Sequence, residues 1–299
     1  MAVATSPATG CRYGVARVCQ VWDVLRSSFY AHQQRAKTRG APTPLRRRGP
    51  KPAVSDEALL AAIRADLDRS PWHGEGHRKV WARLRYGLGL RVGRNRVLRL
   101  MRENQLLSPF RRPPRPANDH DGSILTAAGG LLWGTDASLV RTAEDGWVWV
   151  FAAVDHFSSE VVGHYVSTDG NRFSALQPIS QAVANRFGGV GADAARGVAV
   201  RADNGPQYVS GDFRHQVAHW GMALSHSFAH QPEGNGVVER FFRTLKEQAI
   251  WGRIFRNVAA VVDFVARYNA SWRLARLGFL SPRESRARFV AAAPTAMAA

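Results

Sequence analysis

Three apolar runs set close together, Leu131–Val140, Trp147–Val154 and Val161–Val166, constrain the fold of this chain more than any other feature. Short gaps holding Glu144-Asp145-Gly146 and Ser158-Ser159-Glu160 separate them. Runs of this length, rich in β-branched and aromatic residues and split by short polar turns, pair as an antiparallel meander. Beyond them the pattern alternates: a helix over about Arg172–Phe187, a strand over Gly197–Asp203, a helix near Gly211–Trp220 and a short strand at Met222–Ser225. Three hairpin strands followed by alternating helix and strand predict an α/β sheet covered on both faces. A closing helix over about Val258–Trp272 adds packing.

Two carboxylates stand out against that frame. Asp203 closes the Gly197–Asp203 run and is followed by Asn204-Gly205-Pro206, which ends a strand and turns the acid toward a crevice at the sheet edge. Thirty-five residues separate it from Glu239, in a stretch with Val238, Phe241, Phe242 and Leu245 on one helical side and Asn235, Glu239, Arg243 and Lys246 on the other. Asp136, inside Leu131-Leu132-Trp133-Gly134-Thr135-Asp136, is a third acid in or at the end of a strand. Three converging carboxylates suit two divalent ions about 3.5–4 Å apart, which activate an attacking oxygen and stabilise a leaving one at a phosphate. Oxygen ligands of this kind suit Mg2+.

Trp133-Gly134-Thr135-Asp136, Val154-Asp155-His156-Phe157-Ser158, Ala202-Asp203-Asn204-Gly205-Pro206-Gln207-Tyr208 and Asn235–Lys246 together resemble the core motifs of retroviral-type integrases. The resemblance is nearer to the integrase-core subunit, often called orfB, of the insertion-sequence-three group of bacterial transposases, and it spans nearly the whole chain. It implies a ribonuclease-H-like catalytic core, an Asp136, Asp203 and Glu239 triad holding two Mg2+ ions with Mn2+ as a substitute, and a structural role for Asp155. It further implies double-stranded DNA as partner, both element ends and target, self-assembly on that DNA, and a protein from an upstream reading frame. The setting implied is the bacterial cytoplasm, at the nucleoid. Two positions depart from the pattern: Gly234-Asn235-Gly236 stands where many relatives read Asp-Asn-Ala, and Leu274 stands where a histidine is often found.

Charge supports a polyanionic partner. The formal net charge is +18, and residues 1–122 carry a net +15 of it. Residues 1–36 read as a small helical, helix-turn-helix-like segment or a helical hairpin, and 37–54 as a basic, proline-rich linker with Arg46, Arg47 and Arg48. Residues 55–110 read as a helix-turn-helix module that presents Arg78, Lys79, Arg94 and Arg96 to DNA. A second linker, 111–122, brings Arg111, Arg112 and three prolines, and the core with its C-terminal helix fills 123–299. Within the core, Asn235, Arg243 and Lys246 share the Glu239 stripe and are expected to meet DNA.

Other functions find little support. No stretch approaches the roughly 20 apolar residues of a membrane span. Cys11 and Cys19 have no partner pattern for a zinc site or disulfide framework, and read as small buried residues on a helix. His215 and His219 sit four apart but lack the glutamate of a zinc protease, and Gly188-Gly189-Val190-Gly191 is too incomplete for a dinucleotide loop. The expected function is phosphodiester hydrolysis and strand transfer by a transposase. The rivals are a non-catalytic DNA-binding regulator on the same core and a structure-selective ribonuclease.

Overall fold

The structure, a computed structural model, describes residues 4–37, 52–108, 124, 126–226, 235–249 and 254–292. It divides into two units, residues 1–53 and 54–299. In the first, α1 (Val15–Val21) and α2 (Arg26–Lys37) form a helical pair in which Cys19 is buried. Cys11 lies outside both helices and is exposed, so the expectation of a second buried cysteine fails.

The second unit begins with three helices, α3 (Asp56–Arg69), α4 (His77–Ala82) and α5 (Arg94–Glu103). Ser55 caps α3 by accepting from the Ala58 amide at 3.2 Å, as the polar start of that segment predicts. Leu59 and Ile63 of α3 pack on Val80, Leu84, Val97 and Met101 as a small core. Arg83 pins the module from inside, donating to both oxygens of Asp66 at 2.8–3.0 Å and to Glu75 at 2.5 Å.

Next come β1 (Leu132–Arg141), β2 (Trp147–Asp155) and β3 (Val161–Ser167), paired antiparallel as the meander predicts. Helix α6 (Arg172–Phe187) crosses to β4 (Ala199–Ala202), which runs parallel to β1. A short α7 (Pro206–Val209) and α8 (Gly211–His219) lead to β5 (Ala223–His226), parallel to β4. The sheet order is β3-β2-β1-β4-β5. Helices α9 (Gly236–Glu247), α10 (Val258–Ser271) and α11 (Pro282–Ala292) follow.

The strand alternation explains the layers. Val150, Ala152 and Val154 of β2 face a core built with α9 and α10, while Phe151 and Ala153 face a second core built with α6 and α8. A strand buried on both sides reads as a continuous apolar run, which is what residues 147–154 are. On the α6 side the approach is tight. A β-carbon at Gly163 would fall 1.8 Å from the Pro178 carbonyl oxygen, so only glycine lets α6 lie on β3 there.

The helical module docks on this sheet domain. Trp72, between α3 and α4, joins the α9/α10 core and meets Phe264 and Trp272 edge-on at 5.5 and 4.9 Å.

Candidate active site

Asp136 sits mid-strand on β1, opposite Ala152, with its Oδ1 accepting from the Ala137 amide at 2.7 Å. Asp203 directly follows β4, the parallel neighbour of β1, and its Oδ1 accepts from the Gly205 amide at 2.9 Å. That bond forms the tight turn which the Asp-Asn-Gly sequence predicts. Glu239 lies in the first turn of α9, half-buried, with Val238, Phe241, Phe242 and Leu245 buried behind it.

The three acids share one electrostatic field. Burial pushes the Asp136 carboxyl up to about 6, and the charges of Asp203 and Glu239 push the same way. The Ala137 amide and Lys246 oppose the rise. Burial, together with Asp136 and Asp203, also raises the Tyr208 phenol well above its ordinary value. Tyr208, fully buried on α7, is a neighbour of the site that no periodicity or charge signal singled out.

The donor set is all oxygen and short of positive charge, which is the chemistry a hard divalent cation satisfies. Among the described residues, however, no three His, Cys, Asp or Glu side chains are grouped closely enough to hold a metal ion. The acids are thus chemically matched to such an ion without being drawn into a closed cage.

A polar brace lies beside them. Asn235 stands at the start of α9, buried, and its Nδ2 donates to the Thr135 carbonyl at 3.1 Å. This ties Glu239's helix to the residue before Asp136. His156 is buried next to the same spot, and its imidazole is pushed down to about 4, chiefly by burial and then by Arg201. Arg276 donates to the His156 carbonyl at 3.1 Å and to Ser159 Oγ. Asp155, buried, accepts from the Gly130 and Ser158 amides at 2.7 Å and from Ser158 Oγ at 2.8 Å, so it shapes the turn after β2.

The residues expected at DNA divide into three groups. Lys246 on α9 and Arg78 and Arg94 at the starts of α4 and α5 are exposed, and Arg243 is half-buried on the Glu239 stripe. Asn235, Lys79 and Arg96 each meet a partner within the protein. Asn235 is spent on Thr135; Lys79 lies over the Trp272 ring beside Glu75; Arg96 donates to Asp56 and to the Val54 carbonyl, each at 2.7 Å. Counting arginines and lysines by position could not reveal which of them turn inward. Arg46, Arg47, Arg48, Arg111 and Arg112 lie outside the described residues. His215 and His219 are exposed on α8.

Residues 127–232 match the integrase core domain family and residues 55–114 the HTH-like domain family. The first span includes Asp136 and Asp203 and stops short of Glu239. The transposase for insertion sequence element IS629 of Shigella sonnei is 26% identical over 294 residues, which cover 94% of this chain and 94% of that protein. Transposase InsD for insertion element IS2A/D/F/H/I/K of Escherichia coli is 28% identical over 242 residues, 77% of this chain and 79% of the relative. The chain is thus similar to insertion-element transposases over most of its length. The strands of its β3-β2-β1-β4-β5 sheet lie within the span that matches the integrase core domain family, and α3, α4 and α5 lie within the span that matches the HTH-like domain family. Among solved structures, the catalytic core domain of BIV integrase is 21% identical with a TM-score of 0.40, covering 54% of this chain and 95% of that one. The HTLV-2 integrase catalytic core domain in complex with magnesium is 15% identical with a TM-score of 0.39, covering 54% and 98%.

Proposed function

We propose that this chain is the catalytic subunit of a DNA transposase, which hydrolyses a phosphodiester at each element end and then joins the freed 3′-hydroxyl to target DNA. The observation that supports this best is the shared field of Asp136, Asp203 and Glu239, carried by two parallel strands and a helix of an integrase core. Asp136, Asp203 and Glu239 would hold two Mg2+ ions, or Mn2+ in their place. Bound there, the ions would activate the attacking oxygen, first of water and then of the 3′-hydroxyl, and offset charge on the leaving oxygen.

The chain's own residues supply the rest. Asn235 bonds the start of α9, the helix that carries Glu239, to β1. Lys246 and Arg243 follow Glu239 on one stripe, where cations would hold the phosphates flanking the reacting one. Arg78 and Arg94, exposed at two helix starts of the module, would grip duplex DNA. The partners are element-end and target DNA, further copies of the chain on that DNA, and an upstream-frame product. The site of action is the cytoplasm, at the nucleoid; no helix among the described residues is long and apolar enough to cross a membrane.

The test is incubation of the protein with a plasmid carrying the DNA that flanks its gene, with and without Mg2+. Metal-dependent nicks at the element ends are expected. Intact plasmid in every Mg2+ and Mn2+ reaction, with or without the upstream product, would overturn the reading.

A further inference from the structure

The helical module meets the core at the far end of the helix that carries Glu239. Next to Trp72, the backbone of His73 and the side chain of Gln248 bond reciprocally: the His73 N–H donates to Oε1 and Nε2 donates to the His73 carbonyl, each at 3.0 Å. Gln248 is the C-terminal cap residue of α9. At the other end of that helix Asn235 is bonded to Thr135, beside Asp136. One short helix is thus fixed at its start to the strand of the site and at its finish to the module.

The form of the second joint matters. A single hydrogen bond lets a peptide pivot, whereas a carboxamide that donates and accepts with the same residue fixes both distance and rotation. The fold uses the same device where Asn269 of α10 bonds both the N–H and carbonyl of Val161 at 2.9 and 2.8 Å. Helix α9 cannot absorb movement by sliding, because Val238, Phe241, Phe242 and Leu245 are buried along its length. At about 1.5 Å per residue, Glu239 stands roughly 13 Å along the helix from Gln248.

We propose that Gln248 is a positioning residue that couples the module to the Glu239 helix, so that the duplex gripped by the module dictates which phosphate Glu239 meets. The choice of scissile bond is then set within one chain, by a strut of fixed length. This rests on the transposase reading above, and it concerns register along the DNA rather than chemistry.

The test uses the full chain with Gln248→Ala and two duplexes, one from the DNA flanking the gene and one of random sequence. In the variant, melting temperature and affinity for the flanking duplex stay within about twofold or a degree or two of wild type, since Gln248 is only partly buried. Cleavage spreads from one phosphate to its neighbours, and the preference for flanking over random duplex falls by about tenfold to a hundredfold, as a displacement of about 1 Å would cause. Amide exchange over 236–247, slowed in wild type when the flanking duplex is added, no longer responds. Gln248→Glu keeps only the acceptor half of the clamp and gives an intermediate spread; it carries the test should the alanine variant melt early. Cleavage at the wild-type phosphate with wild-type preference in both variants would overturn the coupling and leave the transposase reading intact. A wild-type protein that cuts neither duplex in Mg2+ or Mn2+, with or without the upstream product, would overturn that reading instead, with amide exchange still reporting on the coupling.

Discussion

Gly134 and Asn235 fit together only because Gly134 lacks a side chain: a β-carbon there would lie 2.4 Å from Asn235 Oδ1 and 3.0 Å from His156 Nε2. A strand of the sheet thereby admits the carboxamide that braces α9. Gly134→Ala is expected to destabilise the protein by about 1–3 kcal/mol through overpacking. Because the clash is specific, adding Asn235→Gly should relieve part of that loss, and the two changes should depart from additivity by about 0.5–3 kcal/mol. Urea midpoints of the four proteins check this; strict additivity would show that the two residues do not compete for space.

Asp203→Asn should abolish plasmid nicking and leave duplex affinity near wild type, because it removes a carboxylate and none of the exposed cations. Asp155→Asn should behave oppositely. Its three accepted bonds shape the turn after β2, so the change should cost about 1–3 kcal/mol in stability, with cleavage surviving in the folded fraction. Nicking by Asp203→Asn at the wild-type rate would remove that residue from the site.

Asp136 is held up at about 6, above its unfolded value of 3.8. The folded protein therefore binds more protons between these two values, and this group's contribution to stability falls as pH rises through that window. At pH 7.5 without divalent ions, Asp136→Asn should be more stable than wild type by on the order of 2 kcal/mol. Adding Mg2+ should raise the melting temperature of wild type and not of the variant. A variant less stable than wild type in EDTA would contradict the account of Asp136 as a carboxyl raised by burial and by the neighbouring acids.

Lys79 gives the reverse slope. Burial pushes its ammonium down to about 7 from an unfolded 10.5, against the pull of Glu75. The unfolded chain then holds more protons between pH 7 and 10.5, so stability due to this group rises with pH across that interval. In Lys79→Met the rise should vanish, which the difference between the two stability curves measures. Parallel curves would place the ammonium in water.

Arg78→Ala and Arg94→Ala, at exposed helix starts, should each weaken duplex binding and reduce the slope of log affinity against log salt by about one. Arg96→Ala should instead lower stability with little change in salt slope, since its guanidinium is engaged by Asp56 and Val54. Equal loss of salt slope in all three would mean that Arg96 also reaches DNA.

The sheet was readable because residues 131–166 alternate strand runs with short polar turns, and α6 was readable to the residue because Asn171 caps its start and Gly188 its end. The apolar run around Asp136, the Asp-Asn-Gly turn after Asp203 and the helical period around Glu239 marked the element that carries each acid, and the structure puts them on β1, just after β4 and on α9. What escaped was whatever depended on distant partners. Asn235 looked like part of a polar stripe because helical periodicity cannot see Thr135, a hundred residues earlier, claiming its amide. Lys79 looked like one more basic side chain because nothing local signals Trp272. Helix α11 was missed because its apolar and charged residues are mixed around its circumference, leaving no stripe to detect.

Trp72 belongs by sequence to the module and by packing to the core, where Phe264 and Trp272 close around it. A core expressed from residue 123 onward would expose that aromatic patch to water and to other copies of itself. A module transplanted onto a foreign core would carry an indole with nowhere to go. Module and core are therefore poor material for exchange by recombination at a point between them. Descent should have kept them as one heritable piece, changing the DNA sequence read through surface arginines while leaving the indole and its socket together.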